Sequence, residues 1–444
     1  MSRNALLNFD LRYFRFSCSL TSSVFLTWRA DGELVSAGAG HPGFWLGIHR
    51  QGGCRVESIF FSEQERAYAQ EAREFFEREA RPHVLAMDRE NKYPFELLKK
   101  MGERKYIGVR FPAQYGGGGR DMMHEAIVNE ETAAQSYALA CARSVPHHCA
   151  FIIANYGSEE QKRRWLPGTF SAELITAECI TEPTGGSDAA RMKTRAVRQG
   201  GHYVLTGEKR FQASGAVADL FVVFAITNPE VHPSQGMSVF AVEKGHPNIV
   251  AMEEFDTLGW RGLRIVSELI FDKVEVPAAN LIGTEGQGFP ILMDMLNSER
   301  ILVASGLLGT ARTCLEIATR YSMEREAFHR PIRNFEGISF KIAEMATRLE
   351  AAQLLRTKAA RMLDQGQDVT KIAAMAKGFA AENAFWVANE ALQVMGGIGY
   401  TTKHDMERHF RDIRGGMVAV GTNEIMRLVV QREHYREFAE GRAE

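Results

Sequence analysis

The spacing of apolar residues switches twice along this chain, from a helical period to an alternating one and back. A helix-period pattern cannot bury its apolar residues as a strand, so the switches separate segments of different architecture. The first opens at Ser62, where Ser62 and Glu65 have capping-box spacing and Tyr68, Ala72, Phe75 and Phe76 follow on one helical face. Helical spacing resumes over Pro94–Lys99 and Asp121–Ser136, with the Gly116–Gly119 run as a break between them. Ser158 with Gln161 repeats the cap ahead of Trp165. From Glu173 to Val276 the runs become short and β-rich: Tyr203–Leu205 before a turn at Thr206-Gly207, then Leu220–Phe224 and Val239–Val242. From Gly288 helical spacing returns in long stretches through Leu307, Ala343, Ala374 and Leu392, the pattern of a helix bundle. The expectation is an α+β multidomain chain: a helical domain over 59–172, a β domain over 173–284 and a second helical domain over 285–444.

Composition narrows the function classes. Lys and Arg total 53 against 55 Asp and Glu, a net charge of −2, with 45% hydrophobic and 24% charged residues. A disordered chain, a collagen-like chain and a strongly basic nucleic-acid binder are excluded. The six cysteines (Cys18, Cys54, Cys141, Cys149, Cys179, Cys314) have no metal or redox spacing and read as reduced thiols of an intracellular protein. That places the chain in the cytoplasm, or in the mitochondrial matrix of a eukaryote. No run approaches the ~18 apolar residues that span a bilayer, so no membrane span is expected. Residues 1–58 mix Arg12, Arg15 and Arg29 with a Ser/Phe/Leu stretch. Ser and Thr interrupt the apolar part, and Asp10, Asp31 and Glu33 oppose mitochondrial targeting, so this leader is read as disordered or not native.

Four glycine- or arginine-bearing segments have chemistry to offer, and each also has an ordinary structural reading. In Thr181–Asp188, glycines permit close backbone approach while N–H groups and the Thr181 and Ser187 hydroxyls can surround an anion; taken alone, it is a polar turn. Gln393–Tyr400 ends a long helix with three glycines in four residues, more than one C-cap needs, which suggests backbone packed on something flat or charged. Gly421–Ile425 opens a helix, where N–H groups suit a phosphate or Thr422 simply caps. Arg325–Phe328 pairs a guanidinium with a ring, or is a solvated arginine beside a core phenylalanine.

Glu299 is different in kind, because it shares a helical face with Ile291, Met295 and Leu302. A carboxylate on an apolar stripe must be paired, protonated or functional, or sit where the stripe reaches solvent. In an apolar pocket its pKa would be raised, which suits proton abstraction.

Taken together these segments resemble the acyl-CoA dehydrogenase family over Ile59–Glu440. The resemblance is carried by YGGGG at Tyr115–Gly119, GSEEQKRRWLP at Gly157–Pro167, CITEPTGGSDAARMKT at Cys179–Thr194 and REAFHRPI at Arg325–Ile332. It extends through QVMGGIGY at Gln393–Tyr400 and RDIRGGMVAVGTNEIMR at Arg411–Arg427. It implies an N-terminal helical domain, a middle β-barrel-like domain, a C-terminal four-helix bundle, bound FAD and a homo-oligomer, usually a tetramer. By the same resemblance, Thr181 and Ser187 sit on the flavin and pyrophosphate with the backbone from Cys179 to Gly186, and Ser187 also touches the acyl-CoA. Phe211 and Ala213 lie at the flavin face. Arg325, Phe328, Gln393, Gly396 and Gly397 contact the FAD of a partner subunit, while Thr422 and Glu424 hold the far end of the chain's own FAD. The implied reaction is α,β-dehydrogenation of an acyl-CoA, with electrons passed to an electron-transferring flavoprotein. No metal, nucleic acid or membrane is implied.

Most family members carry the catalytic base immediately before the Gly-Thr pair, where this chain has Val420. The isovaleryl-CoA and long-chain branches place it instead in a Glu-Arg pair on the first long helix of the last domain, and Glu299-Arg300 matches that pair. Glu299 is therefore the expected base, with Val420 offering its backbone N–H to the thioester. Asn297 and Arg300 are expected near the substrate, Arg300 having a structural ion pair as its alternative. Ala213 stands where the family has a Thr bonded to flavin N5, with Ser214 next. His329, Glu336 and Arg191 depart from the family too. The missing hydroxyl keeps a flavin oxidase or monooxygenase of the same fold open, and a catalytically silent relative is the third reading.

Overall fold

The computed structural model describes residues 61–441, so the expectations for the leader lie outside it. Ser62 caps α1 (Glu63–Glu79) as its spacing predicts: its N–H donates to Glu65 Oε2 at 2.7 Å, and its hydroxyl accepts the Glu65 N–H at 3.2 Å. Ser158 builds the same box with Gln161 on α6 (Glu159–Ser171). Between them lie α2 (Val84–Glu90), α3 (Phe95–Glu103), α4 (Met122–Gln135) and α5 (Tyr137–Tyr156).

The β domain holds β1 (Thr176–Cys179), β2 (Arg195–Gln199), β3 (His202–Gln212), β4 (Leu220–Ile226), a short α7 (Pro233–Gly236), β5 (Met237–Glu243), β6 (Ile249–Ala251), β7 (Val266–Pro277) and β8 (Leu281–Ile282). The sheet order is β6-β7-β3-β2-β4-β5-β8, with β1 parallel to β4. Every residue of β4 is buried. Leu220, Val222, Phe224 and Ile226 face the core shared with the helices, while Phe221, Val223 and Ala225 face the interior of the β domain. That two-sided burial is why the strand reads as one unbroken apolar run rather than an alternation.

One local expectation is corrected. Thr206-Gly207 is not a turn: β3 continues to Gln212, with a register shift between Leu205 and Gly207 against β7. A Cβ on Gly207 would lie 2.6 Å from Thr194 Cα, so the glycine serves a close approach within a bulged strand.

The last domain comprises α8 (Gly288–Glu324), a ribbon of β9 (Glu326–Ala327) and β10 (Arg330–Pro331), α9 (Glu336–Asp364), α10 (Thr370–Met395), α11 (Met406–Gly415) and α12 (Asn423–Ala439). By length and composition α8 is apolar enough to cross a membrane, yet 67% of that stretch is buried within the protein. It is the spine on which α4, α5, α9 and α10 pack. At Gly309 a Cβ would lie 2.0 Å from the Glu130 carbonyl oxygen, so α4 rests directly on the α8 backbone. Gly306 likewise admits the ring of Tyr137, at the start of α5. These small residues bring α5 alongside the middle of α8, where Glu299 sits.

Candidate active site

The Thr181–Asp188 loop follows β1 and is held by its own Glu182, which is buried. Glu182 accepts from the N–H groups of Lys193 at 2.6 Å and Thr194 at 3.0 Å, and from Lys209 Nζ at 2.9 Å. The Thr181 carbonyl accepts the Arg210 N–H at 2.8 Å, which sets the loop beside the end of β3. There Phe211, at φ 64°, is 57% exposed and stacks on Phe255 with centroids 5.1 Å apart. Thr181 is half-buried, whereas Gly186 and Ser187 are exposed. Cys179 is fully buried and burial raises its thiol pKa, which leaves only its main chain for a ligand. Ala213 is half-buried and Ser214 does not replace the missing hydroxyl, because its own is 3.0 Å from Tyr93 OH in the interior.

The other expected cofactor residues present open surface. Phe328 lies between β9 and β10, 86% exposed, which overturns the reading of it as a core residue. Arg325, Gln393, Gly396 and Gly397 are exposed too. No atom lies within 4 Å of a Cβ added at Gly396 or Gly397, so the space on that side of the main chain is open among the described residues. Thr422 caps α12, its hydroxyl accepting the Ile425 N–H at 3.4 Å, and Glu424 is exposed in the first turn.

Val420 is half-buried in the left-handed region at φ 55°, and its N–H has no acceptor among the described residues. Beside it, Lys377 Nζ donates to the Gly421 carbonyl at 2.7 Å. Burial, with the Arg300 charge adding to it, pulls the Lys377 pKa down to about 8. Arg300 is 5% exposed and donates to Asn297 Oδ1 at 3.1 Å, while the Asn297 amide donates to Thr370 Oγ1 at 3.2 Å. The Arg300 Nε has no partner among the described residues, and burial pulls the guanidinium down to about 10. The structural ion pair considered for Arg300 is therefore absent among the described residues.

Glu299 is fully buried on the stripe with Ile291, Met295 and Leu302, not at an edge reaching solvent. Its expected raised pKa is corrected. Burial pushes the carboxyl up, but the charge of His148 and bonds from His147 and His148 outweigh it and hold it at about 2. Both histidines are on α5: His147 Nδ1 lies 3.1 Å from Glu299 Oε1, and His148 Nε2 contacts Oε2. On its other side His148 Nδ1 lies 3.2 Å from Oε1 of Glu178 on β1. Burial lowers the His148 pKa, yet the two carboxylates raise it to about 10. Sequence reasoning missed these partners; the available signal was a His-His pair after Pro146 in a largely apolar helix.

Elsewhere, Glu65, Asp121 and His124 bring potential ligand atoms within 4.8 Å of one another. Glu65 is already engaged by Arg361 at 2.6 Å, and Asp121 caps α4 through the His124 N–H at 2.9 Å.

Family models for the N-terminal, middle and C-terminal domains of acyl-CoA dehydrogenases match residues 62–173, 177–274 and 286–434 in that order. An acyl-CoA dehydrogenase of Bacillus subtilis is 40% identical over 361 residues, covering 81% of this chain and 95% of the relative. The mitochondrial isobutyryl-CoA dehydrogenase of Dictyostelium discoideum is 34% identical, covering 85% and 90%. The structure of butyryl-CoA dehydrogenase from Megasphaera elsdenii aligns with TM-score 0.81 at 33% identity, covering 84% of this chain and 98% of that one. Three domain models in chain order and relatives matched over most of their length make this chain a member of the acyl-CoA dehydrogenase family, a flavoprotein oxidoreductase.

Proposed function

We propose that the chain carries out FAD-dependent α,β-dehydrogenation of an acyl-CoA to the 2-enoyl-CoA, with Glu299 as the base for the α proton. The observation that carries this is a fully buried carboxylate on α8, at the family's alternative base position, while Val420 fills the usual one. The residues present fit FAD: the open main chain at Gly396–Gly397, the exposed Phe211 and Phe328 rings and the stapled Thr181–Ser187 loop offer surfaces for a planar ring and a pyrophosphate. When bound, FAD accepts the β hydrogen as hydride at N5.

An α proton of a thioester is too weakly acidic for a carboxylate in water. Burial removes competing solvent from Glu299, and the Val420 N–H, which has no acceptor among the described residues, would polarise the thioester carbonyl. Arg300 and Lys377, buried without a carboxylate partner among the described residues, would add positive potential near that N–H and favour enolate character on the oxygen. Arg325, Phe328, Gln393, Gly396 and Gly397 would serve a partner subunit's FAD in a homotetramer. Thr422 and Glu424 would serve the chain's own. Electrons would leave to an electron-transferring flavoprotein. The base position, together with isobutyryl-CoA dehydrogenase among the relatives, favours a branched acyl chain.

Anaerobic titration with butyryl-, isobutyryl-, isovaleryl-, palmitoyl- and cyclohex-1-ene-1-carbonyl-CoA tests this. At least one should bleach the flavin; bleaching by none would favour a catalytically silent relative. A second reading, an oxidase or monooxygenase, is favoured by Ala213 together with the inward hydroxyl of Ser214. Fast reoxidation by oxygen with product bound, in stopped flow, would select it over the dehydrogenase.

A further inference from the structure

Four ionisable side chains from three elements form a row that runs from the interior to a half-buried end: His147 and His148 on α5, Glu299 on α8 and Glu178 on β1. Glu299 has no solvent exposure, the His148 side chain has 9% and that of Glu178 has 25%. One imidazole thus stands between two carboxylates, touching the sealed one through Nε2 and the more accessible one through Nδ1. We propose that His148 is a positioning residue that sets the basicity of Glu299, and that Glu178 is its outlet: the proton on His148 must leave toward Glu178 before Glu299 can take one from substrate. This rests on the reading of Glu299 as the base.

The physical argument concerns charge in a sealed volume. A buried carboxylate against an imidazolium is stabilised as an anion and is a poor proton acceptor. The same carboxylate against a neutral imidazole is an uncompensated buried charge, and a strong acceptor. The row switches between these states by losing one proton. Other groups facing it do not decide the matter. Glu125 on α4, behind His147, is neutralised by Arg143 of α5 at 2.6 Å. The buried thiols of Cys149 and Cys179 are raised by burial and stay protonated. The Phe111 ring covers His147 with centroids 5.0 Å apart. Arg300, next to Glu299 in the chain, is bonded to Asn297 instead.

The step balances. His148 Nδ1 lies 3.2 Å from Glu178 Oε1 out of hydrogen-bond alignment, so the imidazole turns into line before its Nδ1–H gives its proton to Glu178 and thence to water. The substrate α C–H then breaks, its proton forming an O–H bond on Glu299; bound FAD would supply the acceptor for the β hydrogen and its electron pair.

The test is anaerobic stopped-flow flavin reduction with whichever acyl-CoA of the panel bleaches fastest, from about pH 6 to about 10, a range spanning the ordinary and the raised His148 values. In the native enzyme the reduction rate should rise with pH by at least about tenfold, the effect of one pKa unit. His148→Gln should abolish the rise. Glu178→Gln, at the more exposed end, should move it to lower pH, since one anion holding the imidazolium is gone. A readout independent of turnover is the thermal midpoint: its fall from pH 6.5 toward about 10 should be shallower in His148→Gln. A flat native profile, or a rise that His148→Gln and Glu178→Gln both leave in place, would overturn the proposal. Glu299→Gln separates the two claims: if it reduces flavin at the native rate the base assignment fails, whereas its loss alongside a flat native profile condemns the His148 role alone.

Discussion

Lys209 Nζ donates to Glu182 Oε1 at 2.9 Å in a site where the lysine has no solvent exposure and the glutamate has 5%. This contact joins β3 to the loop that bears Thr181 and Ser187, so a stability feature and the proposed cofactor surface share one bond. Lys209→Met strands a buried carboxylate and should cost ~3–5 kcal/mol, with loss of bound flavin. Chemical unfolding and the flavin-to-protein absorbance ratio check this. The double variant with Glu182→Gln should recover part of the stability, because the stranded charge is gone.

Glu299→Gln should keep FAD and acyl-CoA binding while flavin reduction falls by at least ~10³, the scale of losing a positioned base. Adding Val420→Glu to that variant restores a carboxylate at the position most of the family uses. Partial recovery of flavin reduction is expected, read by anaerobic stopped flow; no recovery would show that the Val420 wall does not face the α carbon.

Stability should depend on pH at both ends through one pair. The Glu299 pKa is depressed from 4.5 to about 2, so its contribution is present above 4.5 and is lost as pH falls toward 2. The His148 pKa is raised from 6.5 to about 10, so its contribution is full below 6.5 and is lost as pH rises toward 10. Their joint contribution is therefore greatest between 4.5 and 6.5. The difference in thermal midpoint between native protein and His148→Gln should peak in that window; a constant difference from pH 3 to 10 would contradict it.

Two glycines should respond oppositely to alanine. At Gly309 the new Cβ would meet the Glu130 carbonyl at 2.0 Å, and separating α4 from α8 should destabilise the protein by about 1–3 kcal/mol or more. At Gly397 the Cβ meets nothing within 4 Å, so the apoprotein should unfold unchanged. If a partner's FAD packs on that main chain, Gly397→Ala should still weaken flavin retention, measured by release during gel filtration.

What the sequence disclosed was mostly what is decided locally. The capping boxes at Ser62 and Ser158 depend on residues three apart, and the β4 run on one strand's burial. The continuation of β3 through Thr206-Gly207 was hidden because its cause is a tertiary approach to Thr194. The Glu299 site was half legible. Its place on an apolar helical stripe shows in the spacing, but its ionisation is set by His148 and His147 on another helix, the latter 152 residues away in the chain. Apolarity of the stripe predicted a raised pKa; two imidazoles from another helix reversed the direction.

The position of Glu299 within a 37-residue helix has a consequence for how the enzyme fails. A base mounted on a loop can drift while the scaffold stays intact, so catalysis is lost before the protein melts. Here the oxygen proposed to take the α proton is borne by the same element that α4, α5, α9 and α10 clasp. Heat inactivation and cooperative melting should therefore coincide, with no window in which a folded but inert enzyme accumulates.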